Sequence, residues 1–109
     1  MGIVTEYLKY QQEYEEKYGK RTVVLFQCGS FFEIYEYDPA NDETGEQPPW
    51  PTEKLGHATY ISTLLPYTLT RRNKSKPYGL TNPAMIGFPM IAYEPVSYTH
   101  LTLPTTPYV

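Results

Sequence analysis

Residues 22–38 read TVVLFQCGSFFEIYEYD, and the order of residue types in this stretch decides the fold. Residues 22–27 are β-branched and apolar as far as Gln27, the composition of a strand buried on both faces. Gly29-Ser30 breaks the run and residues 31–37 resume it, so the two-residue break predicts a hairpin-like pair of strands. Alternation then assigns faces within the second strand. Phe31 and Glu33 are two apart and share one face, whereas Phe32 points the other way, into a core. Glu33 and Glu36 are three apart, fall on opposite faces and cannot act as a carboxylate pair.

Upstream, Ile3, Tyr7, Tyr10, Tyr14 and Tyr18 recur at spacings of four, three, four and four, which predicts a helix over about residues 2–18 with that stripe in the core. Gly19 is its expected C-cap. A tyrosine stripe could also serve as a base-stacking platform, but core packing is the commoner use of such spacing. Downstream, residues 39–51 have no periodicity and read as a surface loop whose Trp50, between prolines, docks on the domain. Residues 52–65 read as a second helix, with Thr52 as N-cap, Leu55, Ala58, Ile61 or Ser62, and Leu65 on one face, and Pro66 as the stop. His57 falls on this helix with no second ligand near it in sequence, the mark of a surface or partly buried histidine. A short strand over residues 67–70, a polar loop, and a strand over residues 84–88 complete the pattern. These elements predict an α/β domain, a small mixed β-sheet flanked by helices.

The chain has 109 residues, enough for about one small domain. Its single cysteine, Cys28, excludes an intrachain disulfide or a cysteine-cluster metal site, and two histidines add little. No run approaches the roughly 20 apolar residues of a membrane helix, and the N-terminus lacks a secretory pattern, so a soluble intracellular chain with no membrane partner is expected. Phosphate-binding, serine-hydrolase and zinc-protease motifs are absent, so no catalytic role is expected. Net charge is −3, which argues against indiscriminate binding to nucleic acid. The charges are segregated, however: residues 33–53 hold seven acidic residues and no basic one, while RRNKSK at 71–76 packs four of the nine basic residues. Any surface facing phosphates is expected there.

The end of the chain reads differently. Val96 to Thr105, VSYTHLTLPT, fits no structural period, and the codons gtc tct tat aca cat ctg acg ctg ccg acg that would encode it resemble a transposase-end sequencing adapter. The two adapter bases before them, ct, complete a proline codon, as Pro95 requires. Residues 95–109 are therefore read as adapter-derived and residues 1–94 as the native domain, incomplete at its C-terminal end.

Three blocks within residues 7–94 resemble the N-terminal mismatch-recognition domain of the MutS family of DNA mismatch-repair proteins. FQCGSFFEIYEYD resembles the family's strand and Gly-Asp-Phe-x-Glu turn, STLLPYTLTRRNKSK its helix end and leucine-threonine-basic segment, and NPAMIGFP its Pro-x-x-Gly-x-Pro strand and turn. The departures are Ser30 where the family has Asp, Ile91 where many members have His, and residues 38–52, which look like an insertion.

The resemblance implies binding to double-stranded DNA that carries mismatches or small loops. Phe31 would be the wedge entering the minor groove against the mispaired base, and Glu33 would hydrogen-bond that base. The residue types suit those tasks. An apolar wedge replaces lost stacking while kinking the duplex by roughly 20 to 90°, and the distortion is easiest where pairing is already defective. Phosphates around Glu33 would favour its protonated form, a hydrogen-bond donor. Without the family blocks, Phe31 would read as a second core aromatic and Glu33 as a solvated carboxylate. Arg71, Arg72, Lys74 and Lys76 would be a mixture of phosphate contacts and solvated loop. The resemblance further implies that ATP and magnesium belong to other domains of a dimeric parent protein, with no cofactor in this piece. A different class remains open on the acidic stretch: a protein-interaction domain of the same architecture without a DNA role.

Overall fold

The structure, a computed structural model, describes residues 2–46 and 48–89 in full and the backbone of Leu101–Thr102. The hairpin organises it. Strand β1, Val24–Cys28, turns through Gly29-Ser30 into β2, Phe31–Tyr37, with Cys28 opposite Phe31 and Phe26 opposite Glu33. Gly29 takes φ +62°, and among the described residues only glycines have positive φ, which places glycine at the first central position of a type II′ turn, the geometry that matches the twist of paired strands. Strand β2 is the centre of a mixed sheet. It pairs along its whole length with β5, Ala84–Pro89, and at its far end with β3, Leu55–Gly56. Beyond β5 lies β4, Thr70–Arg71, and beyond β1 lies β6, Leu101–Thr102, the parallel neighbour in an otherwise antiparallel order β4-β5-β2-β1-β6.

One helix covers each face. Helix α1, Ile3–Tyr18, lays Val4, Tyr7 and Leu8 over Val24, Phe26, Tyr35 and Tyr37. Helix α2, Ala58–Leu64, lays Ala58 and Ile61 over Leu25, Phe32, Ile34, Ile86 and Phe88. The expected α/β class, a small mixed sheet flanked by helices, is the one observed, and β2 is buried on both sides because it is central. Polar groups fix the docking of α1. The Tyr7 hydroxyl donates to Val24 O at 2.6 Å, and the fully buried Gln11 side chain donates to Thr22 O and accepts from Val24 N at 2.8 and 3.1 Å. Burial of the Tyr7 phenol pushes its pKa far up, so it is a permanent donor.

Three expectations fail. The stripe of Ile3, Tyr7, Tyr10, Tyr14 and Tyr18 is not the core face: Ile3 is 47% and Tyr18 58% exposed, and the buried positions are Val4, Tyr7, Leu8 and Gln11. Tyr10 and Tyr14 reach the edge of the core, and they stack with Tyr18 in a row with ring centroids 6.3 and 5.8 Å apart. The helix expected over residues 52–65 starts only at Ala58, because Leu55 and Gly56 are drawn into the sheet beside Tyr37 and Glu36. Its N-cap residue is His57, whose side chain makes no capping bond. The cap comes from β2: Glu36 accepts from Thr59 N at 2.8 Å and from Thr59 Oγ1 at 2.9 Å. His57 Nε2 lies 3.0 Å from Glu15 Oε2, an ion pair between α2 and α1 when the ring is protonated. The third strand falls at Thr70–Arg71 rather than residues 67–70, since Leu69 and Tyr67 serve as core cover.

Trp50 docks on α1 as expected, its Nε1 donating to Gln12 Oε1 at 3.3 Å and Lys9 lying over its ring. Ile91, the boundary at 94/95 and the side chains of the region read as adapter-derived lie outside the described residues.

Candidate nucleic-acid interface

The two halves of the hairpin strand are used differently by residue. Phe31 is the first residue of β2, between Cys28 and Pro89, and its ring is 48% exposed. Phe32, next to it, is 3% exposed and packs on Phe88 at 5.8 Å between ring centroids, with Tyr67 stacked beyond at 5.3 Å. Glu33 returns to the side of Phe31 and is half-buried, with Phe26 as neighbour on β1 and Gly87 on β5. The Tyr35 hydroxyl donates to Glu33 Oε1, and Cys28 on β1 lies near enough for the same carboxylate to act on its thiol. Burial first, then Glu33, pushes the Cys28 thiol up to about 11, so it stays protonated at neutral pH. Ser30 is exposed at the turn, and nothing in the structure explains why serine stands there.

The basic segment divides by the same alternation. Arg71 closes β4 opposite Ala84, which itself lies opposite Glu36, so Arg71 belongs to the α2 face. A cavity of about 470 Å³ lies there, lined by Leu69, Thr70, Arg71, Lys74 and Ala84. Arg71 donates to Lys74 O at 2.5 Å, and its Nε is sealed from solvent without an acceptor. Arg72 falls on the other face, where its positive charge acts on the Tyr35 phenol. The structure thus brings Phe31, Glu33 and Arg72 to one side and sends Arg71 to the other. Lys74 and Lys76 are exposed on the intervening loop.

This loop is held by a residue that composition does not single out. Asn82 is 7% exposed. Its Oδ1 accepts from Asn73 N at 2.6 Å and its Nδ2 donates to the carbonyls of Asn73, Lys76 and Pro77, each at 3.0 Å. Asn73 in turn accepts from Ser75 N and Oγ. Replacing Asn82 strands several backbone groups, each worth about 1–3 kcal/mol when buried and unmet. Asn82→Ala is therefore expected to speed amide hydrogen exchange at Asn73 and Ser75 by about a hundredfold, for a local loss near 3 kcal/mol. Asn82→Asp is expected to be no better, because it aims a carboxylate at three carbonyl oxygens. Unchanged exchange in both variants would show that the loop does not depend on this side chain.

Tyr35, Cys28 and Asn82 are the site residues that sequence reading missed. Alternation from Phe31 through Glu33 reaches Tyr35 directly, and the hairpin register brings in Cys28; Asn82 carried no signal of its own. Among the described residues no group of three or more His, Cys, Asp or Glu is placed to hold a metal ion, and no helix is long and apolar enough to cross a membrane. Comparison with family models, with curated proteins and with solved structures finds no match to this chain.

Proposed function

We propose that this chain is the part of a MutS-like protein that senses mismatches in double-stranded DNA, with Phe31 as the wedge and Glu33 as the contact to the displaced base. The observation that carries the reading is the split between neighbours: of two adjacent phenylalanines, one completes the core and the other stands out at a rigid hairpin end, with a carboxylate two residues on along the same face. A half-exposed aromatic ring at a strand end can stack on an unpaired base without side-chain rearrangement. The three sequence blocks that resemble the family support the same assignment. Lys74 and Lys76, exposed on the loop, supply phosphate contacts on this reading, whereas Arg71 lies on the opposite face. Binding is the whole activity of this piece, and ATP hydrolysis belongs to other domains of the parent protein.

The rival, a protein-interaction domain built on the acidic stretch, is weakened by what those carboxylates do. Glu36 caps α2, Asp38 accepts from Ala40 N, Asp42 accepts from Tyr37 and Thr44, and Glu43 accepts from Tyr78 N. These carboxylates are tied to the chain's own groups, Glu36 in the interior and the others at the surface. Titrating the chain with a duplex containing one mismatch and with its perfect counterpart distinguishes the two. The expected result is tighter binding to the mismatch and an affinity that falls with salt with a log–log slope of about −0.9 per phosphate neutralised, so about −2 from Lys74 and Lys76 alone. No binding to either duplex would favour the rival.

A further inference from the structure

Two polar side chains meet on the face that carries Phe31: the Tyr35 hydroxyl donates to Glu33 Oε1. The Arg72 charge acts on the same phenol from the neighbouring segment. The tyrosine cannot swing away, because its ring is 1% exposed and sits edge-on against Tyr7 with centroids 5.0 Å apart. Cys28 closes the carboxylate in from β1. On the β5 side Glu33 faces Gly87, where an added Cβ would meet nothing nearer than Phe32 O at 3.9 Å, so the open approach to the carboxylate comes from the absence of a side chain rather than from backbone necessity.

We propose that Tyr35, fixed by its burial against Tyr7, is a positioning residue that orients Glu33 for its contact with the mispaired base, and that Gly87 keeps the path to that contact clear. The proposal rests on the mismatch-sensing reading above. A free glutamate must give up its torsional freedom when it meets a base, whereas one already held in place does not, and that saving appears only in the complex where Glu33 is used. Perfect duplex, which offers no displaced base, gains nothing from it.

The test compares mismatched and perfect duplex for the whole chain and its variants. Tyr35→Phe keeps the buried ring and removes the donor. It is expected to lower the mismatch-to-perfect affinity ratio by about three- to tenfold with perfect-duplex affinity unchanged, the range set by ordering one side chain on binding. In a Glu33→Ala background the same change is expected to have no further effect on the ratio, the signature of one residue acting through another. Gly87→Val is expected to lower the ratio while the protein stays folded. Additive effects of Tyr35→Phe and Glu33→Ala, or an unchanged ratio in Tyr35→Phe, overturn the positioning role while leaving the mismatch reading intact. A wild-type ratio of one overturns both.

Discussion

Phe31→Ala is expected to lower affinity for mismatched DNA by roughly one to two orders of magnitude, to that of perfect duplex, and to leave the fold unchanged. The size follows from the ~1–3 kcal/mol that an aromatic side chain stacked on a base contributes. The fold is spared because the ring is half exposed and completes neither buried cluster. The neighbouring change reverses the pattern. Phe32→Ala removes a ring that is 3% exposed and packed on Phe88, at about 3–5 kcal/mol for a large-to-small substitution in a core. A domain stable by only some 5–15 kcal/mol loses much of its margin at that step. Denaturant unfolding of both variants beside duplex titrations separates the roles. A Phe31→Ala chain that keeps its preference for the mismatch removes the wedge from consideration, and a Phe32→Ala chain as stable as wild type contradicts the assignment of faces.

The second large effect is expected at Gly56. This residue has φ +98°, and a Cβ built there would stand 2.3 Å from Tyr35 O and 2.8 Å from Glu36 Cα. Neither contact is with a side chain that can move, so Gly56→Ala forces β3 away from β2 as well as placing alanine in a left-handed conformation that costs about 1–2 kcal/mol. The total expected is about 3 kcal/mol or more. The damage should spread beyond β3, since Glu36, opposite Gly56, also caps α2. Thermal unfolding with hydrogen exchange along α2 measures both; an alanine variant with wild-type melting and an unaltered α2 would mean that this close approach is not needed.

The hairpin could be read from sequence because its information is local: a two-residue break containing glycine, β-branched residues before it and strict alternation after it. The same alternation separated Phe31 from Phe32 without knowledge of any partner. Gly56 marks where such reading stops. Leu55, Ala58 and Ile61 recur every three residues and satisfy a helical pattern, yet the first of them belongs to a strand, because the backbone of β2 lies within reach of a residue without a side chain. On α1 the tyrosines misled for a related reason. Their spacing is helical, but Tyr10, Tyr14 and Tyr18 satisfy one another on the flank, while Gln11, polar and unremarkable in sequence, is fully buried because β1 supplies a donor and an acceptor for it. The candidate site shows the same division. Local order put Phe31 and Glu33 on one face, their site role came from the resemblance, Arg72 from the basic run, Tyr35 from extending the alternation, and Asn82 only from the way the chain returns to the sheet.

The type II′ turn at Gly29-Ser30 bears on speed as well as shape. Phe31 is anchored by strands on both sides, Cys28 on one and Pro89 on the other, with no mobile loop between the ring and the sheet. A probe mounted this way does not have to be assembled on the duplex. On the mismatch-sensing proposal, the slow event in engaging a defect then lies in the nucleic acid, in how often a weakened base pair opens, and the chain would test each step it passes without refolding any part of itself.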